Sequence, residues 1–170
     1  VGRIVYSSSV AAFGDPTDAV VDERAGFVPG DMKPAAALYG AGKVMGEQLC
    51  ALYQQRHGIG CISLRYSTVY GERQHQRGMY VLALIAAYNS VRRNERPVID
   101  GDGSDLHDYV YAGDVARANL LAMQSSLACE TYTIATGVGT STDRVVREMT
   151  LDGGAGDDQL FAGVGSDVLA

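Results

Sequence analysis

No stretch of this sequence is apolar for long enough to cross a membrane. The longest, around Met79 to Tyr88, falls well short of the roughly 20 residues that a spanning helix needs. Basic residues are in the minority, with 14 Lys and Arg against 20 Asp and Glu and a net charge of -6. Broad, non-specific binding to nucleic acid is therefore not expected, while a local basic pocket for a phosphate is compatible with that balance. Cysteine is scarce and odd in number. Cys50, Cys61 and Cys129 lack metal-ligand spacing and read as reduced, mostly buried thiols of a cytoplasmic protein. No secretory leader is expected, because Val1 to Val10 is a short strand-like run without a charged lead-in or a cleavage site. An initiating Met is also lacking, so the expectation is a piece of something longer. What is there is an ordinary globular composition, 46% hydrophobic and 20% charged over 170 residues, which is room for one domain with a real core.

Along the chain, strand-like and helix-like segments alternate. Ile4-Val5-Tyr6 is a strand that runs into Ser7-Ser8-Ser9, and a turn-rich stretch follows from Gly14 to Pro34. A long helix is expected from Ala35 to His57, with Leu38, Met45, Leu49, Leu52 and Tyr53 as an apolar stripe and Gly58 as its stop. Cys61 to Tyr66, Val98-Ile99, Tyr109 to Tyr111 and Tyr132 to Ile134 read as strands. Tyr80 to Arg93, Val115 to Met123 and Ser141 to Met149 read as helices, the last with Asp143 in its first turn. The alternation predicts a parallel α/β sheet.

The composition changes abruptly after Thr150, where a domain boundary is placed. Gly154, Gly156, Asp158 and Leu160 recur nine residues later as Gly163, Gly165, Asp167 and Leu169. Both copies fit the calcium-binding nonapeptide Gly-Gly-x-Gly-x-Asp-x-U-x, except that Ala162 stands for the first Gly of the second. This tail resembles the start of the parallel β-roll of RTX proteins. Asp158 and Asp167 would supply carboxylates to a hard Ca²⁺ ion while Leu160 and Leu169 stack; the other reading is a flexible Gly/Asp tail. About three repeats are needed to bury a core, so strong calcium binding is not expected from two.

The sharpest local signal lies in Tyr39-Gly40-Ala41-Gly42-Lys43. Four residues apart, Tyr39 and Lys43 share one face of a helix. A nearby ammonium favours a phenolate, as a tyrosine acting as general base requires. Gly40, Gly42 and Gly46 would each cost that helix about 1 kcal/mol relative to Ala, which points to close approach of a backbone or ligand. Ser7 to Ser9 add hydroxyls at a strand end, where open α/β sheets keep their ligands.

With these residues in order, residues 4 to 136 resemble the C-terminal two-thirds of an extended short-chain dehydrogenase/reductase of the sugar-nucleotide epimerase and dehydratase group. The matching segments are Ser7 to Ser9 through Phe13-Gly14-Asp15-Pro16, the Tyr39/Lys43 pair, Leu64-Arg65-Tyr66 through Val69-Tyr70-Gly71, Gly101 to Ser104, and Asp108-Tyr109 through Asp114-Val115-Ala116. The resemblance implies the C-terminal part of a Rossmann-type doubly wound parallel sheet with a small substrate-binding α/β portion. It implies a partial catalytic domain over residues 1–149, ahead of the tail at 150–170.

The resemblance also implies roles. Tyr39 would be the acid/base on a sugar hydroxyl, Lys43 would hold the nicotinamide ribose, and Ser9 would hydrogen-bond the reacting oxygen. Ser7, Ser8 and Tyr66 would complete the contacts to NAD. Thr68, Arg73 and His107 would face the nucleotide sugar, with Arg73 the nearest basic phosphate candidate. Thr68 stands where the family carries Asn, and His107 where it carries Arg, whose bidentate grip on a diphosphate a neutral His cannot match. His107 thus reads equally as a phosphate contact or a surface polar group, His57 as part of a helix end, and His75 as undecided. The acid pair that runs water elimination in related dehydratases is replaced by Val10 and Ala11, which favours 4-epimerisation or simple oxidation over dehydration.

One element is missing: no glycine-rich turn for the adenosine half of NAD precedes Ser7. The expectation is thus a fragment of an NAD-dependent nucleotide-sugar 4-epimerase, inactive alone. The alternatives are a nucleotide-sugar dehydrogenase or reductase, or a non-catalytic calcium-binding or interaction module. Relatives pair through the long helix, so a homodimer is an expectation for the parent.

Overall fold

The computed structural model describes residues 2–17, 20–74, 82–99 and 101–151. In chain order the elements are β1 (Arg3–Ser9), a short 3-10 turn (Val10–Phe13), α1 (Pro34–His57), β2 (Gly60–Tyr66), β3 (Thr68–Tyr70), α2 (Leu82–Arg92), β4 (Leu106–Tyr111), α3 (Ala112–Gln124), β5 (Cys129–Ile134), β6 (Gly139–Ser141) and α4 (Thr142–Leu151). They form two compact units through which the chain passes alternately. One takes the chain to Ser67 and then Gly113–Ile134; the other takes Thr68–Ala112 and the chain from Ala135 on.

The first unit is a parallel sheet in the order β1-β2-β5, with Ser8 opposite Arg65 and Cys61 opposite Cys129. Its middle strand is buried from Cys61 to Arg65, as a strand covered on both faces should be. Phe13, Ile62, Leu64 and Ile134 are among its buried apolar residues. The long helix α1 begins at Pro34, whose fixed φ suits a first helical position, and stops at Gly58 in the left-handed region, whose N–H reaches the Gln54 carbonyl at 2.8 Å.

Three glycines inside α1 separate into two kinds. A side chain at Gly40 would meet the Ala11 carbonyl and Phe27, and one at Gly46 would meet Tyr6, so both sit where the helix touches its neighbours. Gly42 has open space around it and is exposed, which departs from the expected close approach. The apolar stripe departs too. Leu38, Met45, Leu49, Leu52 and Tyr53 are all exposed, while the buried positions of the helix are Gly40, Glu47 and Cys50. Cys129 is exposed rather than buried, whereas Cys50 and Cys61 are buried as expected; all three are free.

The second unit is a mixed sheet, with β3 parallel to β4 and β6 antiparallel to β4. Tyr70, Ala87, Tyr109 and Val146 form its core, with Tyr88, Val91, Ile99 and Val145 packed against them. The antiparallel β6 is one difference from an all-parallel expectation. Val98-Ile99 is another: among the described residues it pairs with no strand, and it contributes only Ile99 to this core while Val98 is exposed. Helix α2 ends at Arg92, and Asn94, two residues on, takes a left-handed φ of 59° in the turn before Pro97. The repeat at 152–170 and His75 lie outside the described residues. Among the described residues no helix is long and apolar enough to cross a membrane.

Candidate active site

The end of β1 and one edge of α1 form the centre of the candidate site. Because side chains alternate along a strand, Ser7 and Ser9 point one way and Ser8 the other. Ser7 is exposed and Ser8 is 2% exposed. Lys43 Nζ donates to the Ser7 carbonyl oxygen at 2.8 Å and lies 5.4 Å from the centre of the Tyr39 ring. Tyr39 itself is 54% exposed, so its hydroxyl is open to a ligand. The helix edge thus sets a phenol and an ammonium one turn apart, with the ammonium fastened to the strand end.

Ser9 is the N-cap of the 3-10 turn: its Oγ accepts from the Ala11 N–H at 3.2 Å, and its own proton is left to donate. The close contact between Gly40 and the Ala11 carbonyl brings the start of α1 against this turn. Ser7 Oγ and Tyr66 Oη are 3.1 Å apart, and Tyr66 Oη also accepts from Asn119 Nδ2 at 2.8 Å. Asn119 is held in turn by the Val115 carbonyl. Tyr66 is therefore joined to the serine strand through its hydroxyl.

Ser8 is a correction. It was expected at the cofactor, but it is buried and donates to Glu47 Oε1 at 2.6 Å, on the opposite face from Ser7. Arg65 is interior too. Its Nε and Nη2 reach Glu47 Oε1 and Oε2 at 2.9 and 2.7 Å. Burial opposes the Glu47 carboxylate, and hydrogen bonds from Arg65 and Ser8 with the Arg65 charge outweigh it, holding the group below the usual carboxylate range.

Thr68, Arg73 and His107 belong to the second unit. Thr68 lies opposite Tyr109 in the β3-β4 pair. His107 pairs with Thr140 and its ring is 5.7 Å from that of Tyr109. Arg73 is exposed and has a left-handed φ of 63°, a conformation uncommon for a residue with a side chain. Beside it, Glu72 accepts from the Tyr111 hydroxyl at 2.9 Å. Asp108 anchors the loop between β5 and β6 by accepting from the Thr136 and Gly137 N–H groups at 2.8 and 2.6 Å.

Asp158 and Asp167, the expected calcium ligands, lie outside the described residues. Among the described residues, no group of three or more His, Cys, Asp and Glu is placed to hold a metal ion. Sequence reasoning missed Glu47 and Asn119. Glu47 had a readable signal, since it stands one further turn along from Lys43; Asn119, alone in the middle of α3, had none.

A parallel sheet with Tyr39 and Lys43 on the helix beside a serine-bearing strand end defines a Rossmann-like α/β protein of the short-chain dehydrogenase/reductase kind. Residues 1–135 match the NAD dependent epimerase/dehydratase family, and the chain belongs to that family. It is 38% identical over 146 residues to a putative UDP-glucose 4-epimerase of Methanocaldococcus jannaschii, which covers 85% of this chain and 45% of that protein. It is 31% identical over 163 residues to the UDP-glucose 4-epimerase of Mycolicibacterium smegmatis, covering 95% of this chain and 50% of the relative. Among solved structures, the UDP-glucose 4-epimerase of Thermotoga maritima with UDP-glucose matches with a TM-score of 0.76 and 31% identity, over 89% of this chain and 47% of that one. The Thermus thermophilus UDP-glucose 4-epimerase in complex with NAD matches with a TM-score of 0.72 and 30% identity, over 90% and 49%. The chain spans about half the length of the relatives it matches.

Proposed function

We propose that this chain is the acid/base and sugar-binding part of an NAD-dependent nucleotide-sugar 4-epimerase. The observation that carries this reading is the Tyr39–Lys43 pair fastened to the end of β1 through the Ser7 carbonyl. As its phenolate, an exposed tyrosine beside a fixed ammonium can take the proton from a sugar hydroxyl, and as the resulting phenol it can return it. Ser9, with its hydroxyl proton free of the cap it makes, donates to the same oxygen. When bound, NAD would supply the reversible hydride acceptor. The residues here fit its nicotinamide-ribose half: Lys43 and Tyr39 offer a donor pair at the open end of a parallel sheet. The sequence holds no glycine-rich turn for the other half, so these 170 residues alone are expected to be inactive. Arg73 and His107 are assigned to the diphosphate of the substrate and Thr68 to its neighbourhood.

For the assembly we propose a homodimer through α1, in a cytoplasmic protein. Leu38, Met45, Leu49 and Leu52 are exposed, and Gly42 falls between the first two with open space around it. This is the spacing of a two-helix seam in which a glycine admits close crossing. For the tail we propose RTX ancestry without a part in the reaction, so that Asp158→Ala with Asp167→Ala leaves turnover unchanged. The test of function is incubation of the protein purified from its source cells with NAD and UDP-glucose. Formation of the C4 epimer without accumulation of NADH supports the epimerase; steady NADH formation supports the dehydrogenase instead.

A further inference from the structure

We propose that the buried Glu47–Arg65 ion pair is a positioning device for Tyr39 and Lys43, acting through Ser8 to fix the register of α1 on β1. The inference rests on reading Tyr39 and Lys43 as the acid/base pair. Tyr39, Lys43 and Glu47 follow one another at one-turn spacing along a single edge of the helix. Two consecutive turns grip two consecutive strand residues: Lys43 holds the Ser7 carbonyl and Glu47 holds the Ser8 hydroxyl. A helix fastened in this way cannot slide or rotate on the strand without breaking both bonds.

Stability alone is a poor reason for such a pair. Burying two charges carries a desolvation penalty that the ion pair does not reliably outweigh, and apolar replacements of similar volume often do as well or better. Here every direction of the pair leads to a different element. Arg65 is opposite Ser8 in the sheet, its guanidinium lies 4.6 Å from the centre of the Phe13 ring, and its Nη1 reaches the Glu23 carbonyl at 3.3 Å. Glu23 Oε1 then accepts from the Thr133 N–H at 2.7 Å. The pair so joins β1, the turn after it, the loop around Glu23, α1 and β2, with Glu23 extending the link to β5. Satisfied buried networks of this sort specify one arrangement of the elements they join. Neither Glu47 nor Arg65 faces the sugar; both act on the reacting residues from behind.

The test uses the two lysines of the sequence. Lys33 stands exposed just before α1 and serves as the reference for Lys43. Reductive methylation of the folded protein, read by peptide mass spectrometry, should modify Lys43 roughly tenfold more slowly than Lys33, the order expected for a charge-assisted hydrogen bond. Glu47→Gln should remove most of that difference. Because Glu47→Gln leaves Arg65 as an unpaired buried charge and can prevent folding, Ser8→Ala is the second variant; it cuts the link to β1 and keeps the pair. Ser8→Ala should also bring the two rates together at temperatures well below its melting point, and Ser8→Thr, which keeps the hydroxyl, should restore protection. A purely structural role would lower the melting temperature and leave the ratio unchanged. An unchanged ratio in folded Ser8→Ala, or equal rates in the native protein, overturns the proposal. Failure of the acid/base reading shows elsewhere, as turnover retained in Tyr39→Phe with the lysine ratio unaltered.

Discussion

The ring of Tyr6 lies directly against Gly46, so close that a Cβ on the glycine would fall 2.8 Å from Cε1 of the ring. The contact explains why the helix that carries Tyr39 and Lys43 tolerates a poor helix former in its middle.

It also sorts the glycines by substitution. Gly46→Ala is predicted to destabilise the protein by about 1–3 kcal/mol, the range for overpacking a tight contact. Gly40→Ala should do likewise against the Ala11 carbonyl. Gly42→Ala should raise the stability of the monomer by up to about 1 kcal/mol, because only the helix propensity changes there. Chemical denaturation of the three variants checks the order. At concentrations where a dimer forms, Gly42→Ala should instead weaken association through the α1 seam.

Acid should attack the Glu47 network. The carboxyls of the buried Glu47 and the exposed Glu23 are both held below their ordinary value of 4.5, against the desolvation that opposes their charge, Glu47 by Arg65 and Ser8 and Glu23 by Thr133. A depressed folded-state value means stability that is fully present above the ordinary value and lost as pH falls through the depressed one. Urea midpoints should therefore be flat above about pH 4.5 in this respect and fall below it. In Glu47→Gln, if folded, the fall should be shallower; an equal slope would mean that other carboxyls carry it.

Much of this was readable in advance. The βα alternation, the extent of α1 and the Tyr39–Lys43 pair follow from local patterns, because helix spacing and strand-end serines are recorded in neighbouring residues. The interior could not be read the same way. The leucines of α1 have helical spacing and are exposed, while Glu47 on another face is buried. The partners that Glu47 finds far along the chain, Arg65 and Ser8, make that burial tolerable. Ser8 was misplaced for a related reason: three serines in a row look alike until strand alternation sends the middle one inward. The antiparallel β6 was missed because Gly139-Thr140-Ser141 is too short and polar to show a period.

The thiols should react in order of burial. Burial pushes the Cys61 thiol up to about 12, with the neighbouring Cys50 adding to the shift, and burial raises Cys129 as well. Cys129 is nonetheless the exposed one of the three. A thiol reagent at neutral pH should find Cys129 first, though more slowly than an ordinary exposed thiol, while Cys50 and Cys61 should wait for denaturant. Fast labelling of Cys61 in the native state would contradict the packing of β2 described above.

The most direct test of the account is Tyr39→Phe in the protein as its source cells make it, with the proposed conversion of UDP-glucose to its C4 epimer measured beside the unaltered protein. Removing one hydroxyl from an exposed ring should leave folding intact and lower turnover at least ~100-fold, the scale of general acid/base catalysis. Turnover retained within a fewfold would contradict the role given to Tyr39, and with it the reading of the helix edge as the site of proton transfer.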